Sequence, residues 1–301
     1  MIFLSEADSL KHGEEIREIL GRTLPVSFRG YSTNFSTPDD HGVQQLQETQ
    51  SPPINHRVEI FTIDGFFREY LAIDPQGPID VADWLTFPQQ KLRTIANSAI
   101  YHDDLGLSDI RRNFSFYPRD VWLYQLVAHW SAVGQEEAFV GRTAGLGDEI
   151  GSSIIAARLV HHLMCLCFLM ERQYAPYSKW FGTAFMKLVC AHDLLPLFRV
   201  VLSTPSWRQR EKALSEAYEL VAQLHNRLDI TSRLPAKVSR YYGRPFLVIH
   251  GETFVKAIRE QIQDDRVRRI STNIGGVDVF STAADLLEAT QLRQRLKSLY
   301  A

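Results

Sequence analysis

With 301 residues, 45% of them hydrophobic and 23% charged, the chain is long enough for roughly two domains and a large core. A formal net charge of −2 excludes the basic field that non-specific nucleic-acid binding needs. Three cysteines (Cys165, Cys167 and Cys190), no secretory leader and no apolar run near the ~20 residues of a membrane span point to a reduced, cytoplasmic protein without a nucleic-acid or membrane partner.

In chain order, Ile2–Leu4 reads as the end of a strand, and Ser5 caps a helix running to about Arg22 that should bury Leu10, Ile16, Ile19 and Leu20. Residues 31–55, with Pro38, Gly42, Pro52 and Pro53, form a loop or mobile insertion. Arg57–Ile63 alternates like a strand, with Glu59 on the same side as Arg57, Phe61 and Ile63. From about residue 80 to 260 the signals are almost all helical. Short helices are expected over Asp80–Leu85, Gln89–Ala99 and Asp109–Phe116, then long ones over Arg119–Val140 and Asp148–Gln173. Further helices follow over His192–Leu202 and Pro205–Leu228, with a closing pair near 252–262 and 283–299 and a short extended piece at Pro245–Ile249. The longest apolar run, Leu163–Met170, fits a buried core helix.

Two features carry polar groups worth weighing. The first is Glu171–Phe185, where Pro176 should end the long helix near Tyr174 and let a new one start at Pro176 or Ser178. Lys179 at such a helix start, flanked by Tyr174 and Tyr177, completes a phosphate or carboxylate site, or else is solvated beside a corner plugged by aromatics. The second is a thin polar stripe on each long helix. Gln125, His129 and Glu136 lie on the first, with Glu137 beside them; Arg158, His162 and Arg172 lie on the second, with His161 beside them. One reading is a satisfied network, for instance Arg158 paired with Glu136 or Glu137. The other is a polar pocket in which Glu136 or Glu137 acts as a base.

Standard motifs are missing. No His-Glu-x-x-His, Gly-x-Ser-x-Gly or Walker loop occurs, and Gly141, Gly145, Gly147 and Gly151 lack the spacing and preceding strand of a dinucleotide loop. Gly275-Gly276 reads as a turn, and Glu6 and Asp8, although spaced acid-x-acid, as helix-capping acids.

Several runs resemble a known family: Tyr117-Pro118-Arg119-Asp120-Val121-Trp122-Leu123-Tyr124, Gln135-Glu136-Glu137, Gly141-Arg142, Gly147-Asp148-Glu149-Ile150-Gly151-Ser152, Ala156-Ala157-Arg158-Leu159-Val160 and Tyr174-Ala175-Pro176-Tyr177-Ser178-Lys179-Trp180-Phe181-Gly182-Thr183-Ala184-Phe185. His56-Arg57-Val58-Glu59 and Asp64-Gly65-Phe66-Phe67 also fit. The family is the one filed as domain of unknown function 4037, whose members look like nucleotidyltransferases with a helical C-terminal domain. The resemblance implies an α+β, mostly α fold: a partial nucleotidyltransferase-like mixed sheet over 1–78, then a helical bundle domain over 79–301 with its core at 117–230. A complete member would use Mg2+ and an NTP to transfer a nucleotidyl group to a small-molecule hydroxyl. The resemblance assigns Glu59 as catalytic carboxylate and metal ligand, and Glu136 or Glu137 as base for the acceptor. Lys179 would be the phosphate contact, with Tyr177 beside it; Tyr174 of the same run, and Arg158 and His162 of the polar stripe, are the other candidate substrate-binding residues. In that superfamily a Gly-Ser turn and an acid-x-acid pair precede the strand that ends here in Ile2-Phe3-Leu4, and the sequence starts after them. The expectation is therefore an inactive or N-terminally incomplete enzyme with no cofactor of its own, a nucleotide or small molecule being the expected ligand. The alternative is a non-catalytic helical protein that binds a ligand or another protein. Nothing in the sequence sets an oligomeric state.

Overall fold

The computed structural model describes residues 1–300, and the fold is α+β, mostly α. The chain forms two compact units, residues 1–78 with 100–110 and residues 79–99 with 111–301.

The first unit opens with β1 (Ile2–Phe3) and α1 (Glu6–Thr23). Ser5 starts α1 by accepting from the Asp8 amide, and Glu6 and Asp8 sit in its first turn, where the helix dipole favours acids. A hairpin follows, β2 (Ser27–Phe28) and β3 (Tyr31–Ser32), turning through Arg29 and Gly30 at φ 51° and 82°. β4 (Ile60–Phe61) then lies parallel to β1, with Ile2 opposite Ile60 and Phe3 opposite Phe61, and α2 (Ile63–Leu71) follows.

Three expectations change here. The strand foreseen over Arg57–Ile63 pairs only at Ile60–Phe61, because its partner β1 has two residues. The expected burial of Leu10 and Ile19 does not occur: they are 85% and 50% exposed, and Gly21 is the buried residue of α1. So small a sheet cannot cover a helix face 18 residues long. Finally, the 31–55 segment is tied down rather than loose. Asn34 Oδ1 accepts from the Asn55 amide at 2.7 Å, and Asn55 Nδ2 donates to the Phe35 and Ser36 carbonyls at 2.9 Å. The apolar centre of this unit is aromatic, with Phe3, Phe61, Phe67 and Tyr70 grouped around Phe66 at ring distances of 5.0 to 5.5 Å.

The second unit begins with α3 (Val81–Thr86), closed by an Asp80–Asp83 capping box, and α4 (Gln89–Asn97). After α5 (Leu107–Asn113) comes the central pair, α6 (Arg119–Glu136) and α8 (Glu149–Met170), with the short α7 (Phe139–Ala144) between them. The long helix foreseen to Val140 thus breaks after Glu136. α6 is buried nearly continuously from Val121 to Trp130, as expected of a helix that is apolar all round. α8 is long and apolar enough to cross a membrane, but most of it is buried against its neighbours here.

α9 (Phe181–Phe185), α10 (Ala191–Ser203) and α11 (Trp207–Arg227) pack around this pair. β5 (Ser239–Arg240) and β6 (Leu247–Val248) form a small hairpin-like pair before α12 (Gly251–Arg259), which lies along α6. A Cβ on Gly251 would sit 2.7 Å from the Trp130 carbonyl and the Gly134 amide, so glycine is what lets the two backbones approach. α13 (Asp265–Arg269) and α14 (Val277–Phe280) follow; the expected 283–299 helix is then split at Ala289 into α15 (Ala284–Glu288) and α16 (Thr290–Leu296).

Candidate functional site

His129 and Glu136 of the α6 stripe meet His162 and Arg158 of the α8 stripe as rungs between antiparallel helices, and Trp122 adds a third rung. Trp122 Nε1 donates to the Leu169 carbonyl at 2.9 Å, and His129 Nδ1 meets His162 Nδ1 at 3.0 Å. Glu136 receives Arg158 Nε at 3.0 Å and Nη2 at 2.5 Å. Positions 122, 129 and 136 are seven apart, two helical turns each, which returns every rung to the same face. The two imidazoles share one bond, so one donates and the other accepts. Burial pushes His129 well below the usual histidine range, with His162 and His161 adding to it, and takes His162 down to about 4, with His161 and Arg158 adding to it, so both remain neutral. The pairing of Arg158 with Glu136 follows the network reading of the sequence.

Glu137 lies beside the stripe and faces α12. Its Oε2 accepts from the Ile249 and His250 amides at 2.5 and 3.2 Å, and its Oε1 from the Gly251 amide at 3.1 Å. His250, at φ 59°, supplies no side-chain cap to α12, so Glu137 satisfies the amides at that helix start from across the core. Burial pushes its carboxyl up to about 7, outweighing the three amides that favour the charged form. Glu136 and Glu137 thus both hold helices together in this arrangement.

The Glu171–Phe185 corner has a buried root and an exposed tip. Arg172 takes φ 54° and lays its guanidinium 3.4 Å from the Trp122 ring centre, ending the helix at the Met170–Glu171 step. Tyr174 is 3% exposed, packed edge-on to Tyr117 at 4.9 Å and against Phe116 at 5.1 Å. Its carbonyl accepts from Arg93 Nη1 at 2.5 Å, and the Ala175 amide donates to Gln89 Oε1 at 2.9 Å. These bonds fix the corner to α4. Beyond Pro176 the chain turns outward: Tyr177 and Trp180 are 43% and 55% exposed, and Lys179 Nζ lies 5.2 Å from the Trp180 ring centre. The helix start foreseen for Lys179 is instead a single 3-10 turn, Ser178–Trp180, leading into the five residues of α9. That is too short to carry the macrodipole argument made from the sequence.

Among the foreseen site residues, then, the second unit brings Glu136 to Arg158 and His162 to His129. It keeps Tyr174 in the root of the corner and presents Tyr177 and Lys179 at its tip. Glu59 belongs to the first unit, where its carbonyl accepts the Ile2 amide at 2.9 Å and so joins β4 to β1. Two-metal chemistry needs several hard oxygen ligands converging on each ion. Among the described residues no group of three or more His, Cys, Asp or Glu side chains is disposed to hold a metal.

Sequence reasoning passed over Asp278 and Arg293 of the second unit, and it placed Gln125 in the α6 stripe without its partner. Asp278 accepts from the Gln89 amide at 2.9 Å, and burial raises it to about 7. Arg293 is fully buried, with Nη1 donating to the Thr86 carbonyl at 3.1 Å. Gln125 Oε1 accepts from the Gly276 amide at 2.8 Å, which gives the Gly275-Gly276 pair a packing role. The available signal was a double glycine just before an acid, and it is a weak one.

No curated protein and no solved structure matches this chain. Residues 84–181, which run from α3 through α8 to the tip of the corner, match the family model described as domain of unknown function (DUF4037).

Proposed function

We propose that this chain has a nucleotidyltransferase-like plan but holds a nucleotide or phosphorylated small molecule without transferring it. The observation that carries this reading is the parallel pairing of β1 with β4, with α1 between them in the chain and Glu59 immediately ahead of β4. That order supports the superfamily resemblance; against transfer stands that, among the described residues, no group of three or more His, Cys, Asp or Glu side chains is disposed to hold a metal. Transfer from an NTP to a hydroxyl is expected only of a chain with the full carboxylate set. The tip of the corner supplies the chemistry for holding a ligand: Lys179 for a phosphate, Trp180 and Tyr177 as flat faces for a base, on a root fixed by Gln89 and Arg93.

Titration calorimetry with ATP in the absence of added metal tests this reading. Saturable heat in the wild type, weakened about tenfold or more by Lys179→Ala or Trp180→Ala, is expected. No heat with any nucleotide, or binding untouched by both substitutions, contradicts it. A second reading, a helical binding protein with no nucleotide role, is favoured by the engagement of Glu136 with Arg158 and of Glu137 with α12. Calorimetry that is silent for nucleotides would leave that reading in place.

A further inference from the structure

Between Asp229 and Glu252 the sequence carries Arg233, Lys237, Arg240 and Arg244 and no acidic residue, so the small net charge of the whole chain conceals a local basic stretch. β5 and β6 bring the middle of that stretch into a tight turn. The Arg244 amide donates to the Tyr241 carbonyl at 2.9 Å, and the two residues between them, Tyr242 and Gly243, have φ 45° and 76°. Two central residues at positive φ make a type I′ turn, whose twist matches that of a hairpin. Its first central position favours Asn, Asp or Gly, and a bulky side chain there is an outlier. Tyr242 is 79% exposed, so no core packing compensates for its backbone. Its ring meets that of Tyr241 edge-on at 4.8 Å, and the Arg244 guanidinium lies 5.9 Å from the Tyr241 ring centre. Lys237 is taken up by Glu219 at 2.6 Å, whereas among the described residues no carboxylate pairs with the exposed Arg240 or Arg244.

We propose that the β5–β6 turn is a docking surface for single-stranded nucleic acid, with Tyr242 as the stacking face for a base and Arg240 and Arg244 as contacts to the flanking phosphates. The combination selects this partner. An exposed aromatic ring stacks on any unpaired base, and guanidiniums on either side of it in the chain pair with phosphate oxygens. An acidic peptide would engage the two arginines but give the strained ring no role. An anionic membrane would need apolar side chains to insert beside the cations, and the exposed neighbours here are Ser239, Gly243 and Pro245. The chain as a whole offers no long-range basic field, so the contact is local: one stacked base and two phosphates. None of the corner residues takes part in it.

Fluorescence anisotropy of a labelled oligouridylate of about 12 nucleotides, titrated with the full chain, tests the proposal. Saturable binding is expected, with log K falling by about 1.4 per tenfold rise in salt for two phosphates. Tyr242→Asn should weaken binding about fivefold or more. Asparagine fits this turn position, so the variant should resist urea at least as well as the wild type. Arg244→Ala should weaken binding and cut the salt slope by about half. Lys179→Ala should leave it unchanged. No saturable binding, an affinity untouched by Tyr242→Asn, or equal binding of polyglutamate or of phosphatidylserine vesicles would each overturn the proposal. So would a loss confined to Lys179→Ala, which would assign the oligonucleotide to the corner.

Discussion

Replacing Glu137 by glutamine isolates the energetics of the carboxyl that starts α12. Burial raises this group from 4.5 to about 7 in the folded protein. A raised carboxyl contributes stability that is complete below its unfolded value and is lost as pH climbs through the folded one. Between pH 5 and pH 8 the loss amounts to about 2 to 3 kcal/mol. Glutamine cannot titrate, so Glu137→Gln should lack this decline. At pH 5 the wild-type group is a protonated carboxyl whose hydroxyl oxygen can still accept beside its carbonyl oxygen, whereas glutamine turns an NH2 donor toward the amides of Ile249, His250 and Gly251, a deficit of about 1 kcal/mol at that pH. The variant should therefore be less stable than the wild type at pH 5 and equal or more stable at pH 8. Urea unfolding followed by circular dichroism at both pH values measures the two gaps, and groups unaffected by the substitution cancel in the difference. A gap that stays constant with pH would refute the reasoning. A gap that widens toward pH 8 would show that the three amides dominate and the carboxyl is depressed, not raised.

Three further outcomes follow from the same packing. His162 is held near 4, below an ordinary histidine, so its contribution is present above about pH 6.5 and lost as pH falls through about 4; His162→Asn should flatten the acid side of the stability profile measured by denaturant unfolding. Gly251→Ala forces a methyl into the Trp130 carbonyl and Gly134 amide, both backbone, and should cost about 1 to 3 kcal/mol in the same measurement. Arg158→Ala removes a pair whose arginine is 52% exposed, so its effect should stay within about 1 kcal/mol and shrink with added salt.

The helical body was largely legible because its signals are local and repeated. Apolar residues on every face of α6 and α8 announce buried helices, Asp148 caps α8 by accepting from the Gly151 amide, and seven-residue spacing places Glu136 and His129 on one face. The pairing of Glu136 with Arg158 could be guessed as one option, since polar groups on a buried face need partners. What stayed hidden depends on contacts distant in sequence. Nothing local to Leu10 or Ile19 says that the sheet against which α1 would pack is two residues wide. Arg293 looks like an ordinary surface residue of a short helix until α3 closes over it. The corner divided in the same way: Pro176 marked the turn, but only the bonds from Gln89 and Arg93 decide that Tyr174 is root and Tyr177 is tip.

Incubating the chain with radiolabelled ATP, magnesium and a mixture of small hydroxyl acceptors tests most directly the proposal of a nucleotidyltransferase-like protein that holds without transferring. The prediction is no label transferred above the protein-free control. Metal-dependent transfer by this chain, abolished by Glu59→Gln, would contradict it.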